Sequence, residues 1–275
     1  MNLLTIGNQP PRYVFLHGLF GQGRNWTTIA KRLLPDSSLL VDLPDHGQSE
    51  WSDTFSYEGQ ADRVGEVLSG LDAPVCLVGH SMGGRIAMMT ALTHPENIER
   101  LVIEDTSAAQ LPMAVFAKYA EAMAALPLDQ LTDRRHARDL LKRTVHDERT
   151  LGFLLQNLQS SDQGWHWIIN LELLRRDMEL IGIWPAVSAC FERPVLWITG
   201  TRSSRTSPEQ FAQMKALFPL IRQVKVKGAG HWVHADAPGP FVYAVREFAR
   251  EGRNIWEPMG DVPEELVLDE DDSGV

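Results

Sequence analysis

The stretch Pro74-Val75-Cys76-Leu77-Val78-Gly79-His80-Ser81-Met82-Gly83-Gly84 constrains this chain more than any other. An apolar run reads as a buried strand, a glycine-bounded serine follows, and Arg85-Ile86-Ala87-Met88-Met89 continues as a helix. Gly79-His80-Ser81-Met82-Gly83 fits the pattern G-x-S-x-G, which belongs to a strained strand-to-helix turn that lifts a serine hydroxyl above the end of a sheet. Side chains have no room on either side of such a turn, so glycine is required there. The helix that follows directs its first N–H groups toward the serine, where negative charge could be held.

Two further segments have the same strand-then-glycine form. Tyr13-Val14-Phe15-Leu16 runs into His17-Gly18-Leu19-Phe20-Gly21, and the alternating strand Ile221 to Val226 precedes Gly228-Ala229-Gly230-His231-Trp232. A serine early in the chain and a glycine-flanked histidine near its end suit nucleophile and general base. The histidine then needs a carboxylate to fix its tautomer. The loop after Pro194 to Gly200, Thr201-Arg202-Ser203-Ser204-Arg205-Thr206-Ser207, holds no Asp or Glu, and Glu209 falls inside the next helix. Asp105 closes the strand after the elbow helix. Adjacent parallel strands bring their C-terminal ends side by side, so Asp105 can share a histidine with Ser81. Glu104 is its rival, and Asp105 could instead cap a helix near Thr106 and Ser107.

The rhythm of short apolar strands and helical segments predicts a mostly parallel sheet covered on both faces. Strands are expected at Tyr13 to Leu16, Ser38 to Asp42, Val75 to Val78, Arg100 to Asp105, Pro194 to Gly200 and Arg222 to Val226. Between Asp105 and Pro194 the rhythm stops. Met113 to Leu126, Leu131 to Val145, Leu151 to Leu158 and Trp167 to Leu180 read as helices, an all-helical cap over the sheet end that binds ligands. The expected division is a core of residues 1–106 and 191–253, a cap of 107–190, and an acidic, mobile tail of 254–275. Of the formal net charge of −10, eight negative charges come from the acidic residues between Glu257 and Asp272, with no Lys or Arg after Arg253. The rest of the chain is close to neutral, which argues against a nucleic-acid partner.

Two cysteines form no disulfide framework, and Cys76 is expected to act as a small buried apolar residue. No basic n-region opens the chain and no apolar run is long enough to span a bilayer, so a cytoplasmic location without a membrane span is expected. Gly21-Gln22-Gly23 lacks the third glycine of a dinucleotide fingerprint. With no H-E-x-x-H, paired C-x-x-C or P-loop, neither a metal nor a cofactor is expected.

The segments His17 to Gly21, Val41-Asp42 with His46-Gly47-Gln48-Ser49, Gly79 to Gly84 and Gly228 to Ala235 together resemble the α/β-hydrolase fold. The similarity runs over roughly residues 12 to 250. It is most specific to the subfamily of small bacterial carboxyl- and thioester esterases and related mitochondrial abhydrolase-domain proteins, in which the acid follows the strand after the elbow helix, as Asp105 does. The resemblance implies a triad of Ser81, Asp105 and His231. It also implies an oxyanion hole from the N–H groups of Met82 and Leu19, with Phe20 the fallback for the second donor. Phe20 and Trp232 are candidate pocket residues, and His17, His80 and His234 are expected to be structural. The implied partner is a small-molecule ester or thioester; the oligomeric state is not legible. Alternatives are an alcohol acyltransferase using the same acyl-enzyme, a lyase or synthase like the menaquinone-pathway relatives, and a catalytically silent binding protein. A serine at position 81 argues against haloalkane dehalogenase or epoxide hydrolase chemistry, which needs a carboxylate nucleophile.

Overall fold

The computed structural model describes residues 1–205, 207–250 and 262–268. Its centre is an eight-stranded sheet. The first half of the chain contributes β1 (Asn2–Ile6), β2 (Pro11–Leu16), α1 (Thr27–Leu33), β3 (Ser37–Asp42), α2 (Tyr57–Ser69), β4 (Val75–His80), α3 (Met82–Thr93) and β5 (Ile98–Glu104). The inserted segment holds α4 (Ala114–Ala124), α5 (Arg134–Leu141), α6 (Glu148–Leu155), β6 (Leu158–Ser161), β7 (Gly164–Trp167), α7 (Leu171–Arg176) and α8 (Met178–Gly182). The sheet resumes with β8 (Val195–Gly200), α9 (Pro208–Leu217), β9 (Ile221–Val226), α10 (Val233–Asp236), α11 (Pro238–Phe248) and β10 (Leu266–Leu268).

The strand order is β1-β3-β2-β4-β5-β8-β9-β10. The six inner strands are parallel, while β1 and β10 pair antiparallel at the edges. Continuous apolar runs are explained by burial on both faces. Leu77, Leu101, Ile103 and Trp197 point into one core, and Cys76, Val78, Val102 and Leu196 point into the other, as the two-residue period of a strand requires. The β4–β5 register sets Val78 opposite Val102 and His80 opposite Glu104. Residue 81 and residue 105 therefore leave the sheet side by side.

The inserted segment packs on the sheet rather than apart from it. Ala120, Met123, Leu151 and Leu154 belong to the same buried cluster as Leu16, Leu19 and Met82. Polar ties reinforce the contact. Asn157 donates to the Phe20 carbonyl at 2.8 Å, Asn170 to Asp45 at 2.9 Å, and the Tyr57 hydroxyl to the Ile181 carbonyl at 2.6 Å.

Two expectations are corrected and one strand is added. The cap is not all-helical: β6 and β7 form an antiparallel hairpin, with Ser161 opposite Gly164 across the two-residue loop Asp162-Gln163. Gly164 adopts φ +101°, which favours glycine. The expected helix from Trp167 therefore begins only at Leu171, because Trp165 and Trp167 alternate along a strand. At the N-terminus, Asn2–Ile6 is a strand that a mostly exposed, weakly apolar sequence does not announce. In the acidic tail, Leu266–Leu268 adds an edge strand to β9, and Leu266 packs against the second core. Residues 254–261 and 269–275 of that expected tail lie outside the described residues.

Candidate active site

The elbow is as tight as its glycines suggest. Ser81 takes φ +53° and ψ −119°, a region L-residues avoid. A Cβ on Gly79 would lie 2.3 Å from the Gly83 carbonyl oxygen, and one on Gly83 would lie 2.3 Å from that of His17. The Ser81 N–H donates to the Glu104 carbonyl at 3.0 Å, tying the turn to β5. Phe20, Asp45 and Asp105 also have positive φ. Three of these four strained residues thus flank one point, and strain of this kind persists only where the surroundings enforce it.

Ser81, His231 and Asp105 are brought into one line. His231 Nε2 lies 3.1 Å from Ser81 Oγ, and His231 Nδ1 lies 2.7 Å from Asp105 Oδ2. Asp105 is fully buried and accepts two further bonds. Ser203 Oγ donates to its Oδ2 at 2.6 Å, and the Gly200 N–H donates to Oδ1 at 3.2 Å. Burial pushes the Asp105 carboxyl up to about 6, against the opposing pull of Ser203, Gly200 and the nearby Arg205 guanidinium. Burial, then Arg205 and His234, holds His231 well below the ordinary imidazole range. The resting pair is therefore a neutral imidazole beside a carboxylate, with Nδ1 carrying the proton and Nε2 free to accept one.

Glu104, the rival acid, serves a different histidine. Its carboxylate is fully buried and accepts the backbone N–H of His234 and the His234 Nδ1–H, each at 2.8 Å. His234 stacks on Trp26 with ring centroids 4.3 Å apart. His80 lies between the two pairs, its ring 4.7 Å from that of His231, and its Nε2–H donates to the His231 carbonyl at 2.9 Å. It is buried and braces the loop that carries His231.

The loop after β2 is braced by two neutral histidines. His17 donates from Nδ1 to the Gly18 carbonyl and accepts the Leu43 N–H on Nε2 at 3.0 Å. His46 donates from Nδ1 to the Pro44 carbonyl and accepts the Phe20 N–H on Nε2 at 3.3 Å. Burial pushes His17 down to about 3 and lowers His46 as well. The second bond of each ring needs an unprotonated Nε2, so this geometry agrees with burial. Because the Phe20 N–H is occupied, it is not placed as an oxyanion donor. Leu19 and Met82 line one small cavity with Ser81, and Met82 begins α3, where the first N–H groups have no intrahelical acceptor.

That cavity is narrow, about 10 Å³, and is also lined by Tyr57, Arg85, Met113, Phe116 and Arg205. Neither expected pocket residue belongs to it. Phe20 is buried in the core and offers its carbonyl to Asn157. Trp232 lines a separate cleft of about 330 Å³, beneath the Arg149 guanidinium and beside Phe153. Both are candidate pocket residues of the sequence reading. The loop geometry turns them elsewhere.

Sequence reasoning missed Ser203, which fastens the acid, and Arg85 and Arg205, which put positive charge on the cavity wall. Arg85 carries a signal in retrospect: α3 is buried on every side, and Arg85 is its only charged residue. Cys76 is buried, and burial pushes its thiol up to about 12, which leaves it an inert apolar group. Among the described residues, no helix is long and apolar enough to cross a membrane, and no cluster of three His, Cys, Asp or Glu side chains could hold a metal.

Comparison with known proteins bears on the same residues. The sequence profile described as "Alpha/beta hydrolase family" matches residues 13–245. The chain belongs to the alpha/beta hydrolase family. It is 35% identical over 244 residues to the sn-1-specific diacylglycerol lipase ABHD11 of Danio rerio, covering 86% of this chain and 77% of that one. It is 27% identical over 240 residues to Esterase YbfF of Escherichia coli strain K12, covering 86% and 92%. Among solved structures, a marine microorganism esterase superposes with a TM-score of 0.86 at 27% identity, covering 90% of this chain and 98% of that one. In this alpha/beta hydrolase the sheet carries the elbow after β4 and the histidine after β9, and the inserted segment adds Leu111, Met113, Phe116 and Ile181 to the wall of the cavity beside Ser81.

Proposed function

We propose that this alpha/beta hydrolase cleaves carboxylic esters or thioesters through an acyl-enzyme on Ser81. Ser81 Oγ attacks the substrate carbonyl as its proton passes to His231 Nε2, and Asp105 stabilises the imidazolium that forms. The oxygen that becomes negative is held by the N–H groups of Leu19 and Met82, where losing one donor costs about 3 kcal/mol of transition-state stabilisation. His231 then gives its proton to the departing alcohol or thiol. In the second half, His231 Nε2 takes a proton from water as its oxygen attacks the acyl carbon, and the Ser81–acyl bond then breaks as His231 returns that proton to Ser81 Oγ, releasing the acid and restoring the resting pair.

The observation that carries this reading is the unbroken sequence of contacts from Ser81 Oγ through His231 to Asp105, at 3.1 Å and 2.7 Å. The names of the relatives, a diacylglycerol lipase and two esterases, support an ester as substrate. Ser81→Ala is expected to abolish hydrolysis of p-nitrophenyl butyrate and labelling by a fluorophosphonate, with thermal unfolding unchanged within a few degrees. Activity retained by purified Ser81→Ala would refute the nucleophile.

A further inference from the structure

Arg85 is a buried cation with no counter-charge in contact. It sits one turn after Ser81 on α3, has no exposed surface, and lines the cavity that contains Ser81. Its guanidinium is held on three sides. The Tyr57 ring lies 4.9 Å from the guanidinium carbon on one side and the Trp184 ring 5.5 Å away. Nη1 donates to the Gly182 carbonyl at 3.1 Å, and that carbonyl also accepts the Leu111 N–H. The remaining edge, formed by Nε–H and one Nη2–H, finds no partner among the described residues. These two N–H groups are the parallel fork that binds a carboxylate through both oxygens.

Leaving a desolvated guanidinium edge unpaired is costly. Burial lowers the Arg85 pKa with only Tyr57 opposing it. Arg205, the second guanidinium on the cavity, differs. Its charge interacts with Asp105, and it lies over the Phe116 ring. One positive charge is therefore left without an anion, on the wall of the acyl-transfer cavity.

We infer that Arg85 receives a carboxylate carried by the substrate, so that the preferred ester is the half-ester of a short dicarboxylic acid. This rests on Ser81 being the nucleophile, and it adds what the second end of the substrate must be. A single uncompensated cation matches a monoanionic carboxylate better than a phosphate dianion. One helical turn separates the two residues, about 6 Å along the axis, a span suited to an acid of about four to six carbons. The two rings and the Gly182 tie hold the guanidinium in place, while the cavity of about 10 Å³ has to widen by side-chain movement to admit the half-ester.

The test compares monoethyl glutarate with ethyl pentanoate, assayed by pH-stat on the unaltered enzyme. A charged pair of hydrogen bonds predicts a kcat/KM advantage of about tenfold or more for the half-ester. In Arg85→Met, which keeps the apolar stem, kcat/KM for the half-ester should fall at least tenfold further than that for ethyl pentanoate, by the same reasoning on about 1.4 kcal/mol or more. Arg85→Lys should fall between, because it keeps the charge and loses the fork. Preference for the neutral ester by the unaltered enzyme would overturn the inference, as would equal losses on both esters in Arg85→Met. Calorimetry of glutarate and of inorganic phosphate binding to Ser81→Ala separates the two levels of the account. Glutarate binding without any ester turnover by the unaltered protein would refute Ser81 chemistry and keep the site. Turnover with no glutarate binding, or with phosphate binding alone, would refute the carboxylate site and keep Ser81.

Discussion

Glu104 and Asp105 are neighbours at the end of β5, yet they serve opposite sides of the sheet. Each is fully buried and each meets a histidine from the segment after β9. Asp105 bonds His231, whose far nitrogen faces Ser81; Glu104 bonds His234, whose ring rests on Trp26 in the second core. The alternation of side chains along a strand and the turn at Asp105, with φ +48°, send the two carboxylates apart. Identical chemistry one residue apart thus divides into a pair that touches Ser81 and a pair that fastens the loop carrying His231.

Changes to the two pairs should break in different ways. Asp105→Asn should lower kcat by up to about 10⁴, as loss of the buried acid does in a serine protease triad, with a small change in melting temperature. Glu104→Gln should do the reverse. It keeps an acceptor for His234 but loses the charge-assisted bonds, so about 1–3 kcal/mol of stability should go, read by denaturant unfolding, with kcat reduced less than about tenfold. A large kcat loss with unchanged stability in Glu104→Gln would erase the distinction.

The pH profile sharpens the same contrast. Burial raises Asp105 to about 6, and the proposed reaction needs the carboxylate, so kcat/KM should fall as pH drops through about 6. That midpoint belongs to the Asp105–His231 pair as a unit. The Ser203 hydroxyl bond favours the ionised carboxyl, so Ser203→Ala should move the acid limb to higher pH by up to about one unit. A limb that stays in place would mean the hydroxyl does not hold the charge. The smallest effect is expected at Glu209, which is exposed on α9 and bonds the Ser207 hydroxyl. Glu209→Gln should leave kcat within about twofold, since it reaches no group of the site.

Much of this division was legible in the sequence. The glycines of 79–84 dictate the elbow, and the lack of any acid between Thr201 and Ser207 points back to Asp105. The apolar runs 75–78 and 101–103 read as strands because both faces are buried. What was not legible depends on contacts between distant segments. Glu104 remained a rival because the turn at Asp105 is a conformational fact that residue types do not announce. The 158–167 hairpin has strands of four residues, too short for alternation to separate it from the helices around it. β10 depends on pairing with β9, and its three residues lie in an acidic context that reads as solvated. Arg85 resembles any helix cation until Tyr57, Trp184 and Gly182, from three other places in the chain, close around it.

The central claim is that Asp105 fixes the tautomer of His231 so that Nε2 can take the Ser81 proton. Nitrogen-15 NMR of the histidine rings at pH 7.5 reads this directly, in the unaltered protein and in the Asp105→Asn and Glu104→Gln variants. The account predicts that His231 is neutral with its proton on Nδ1 in the unaltered protein and in Glu104→Gln, and that the proton moves to Nε2 in Asp105→Asn. A His231 proton on Nε2 in the unaltered protein, or one that moves in Glu104→Gln and stays on Nδ1 in Asp105→Asn, would contradict it.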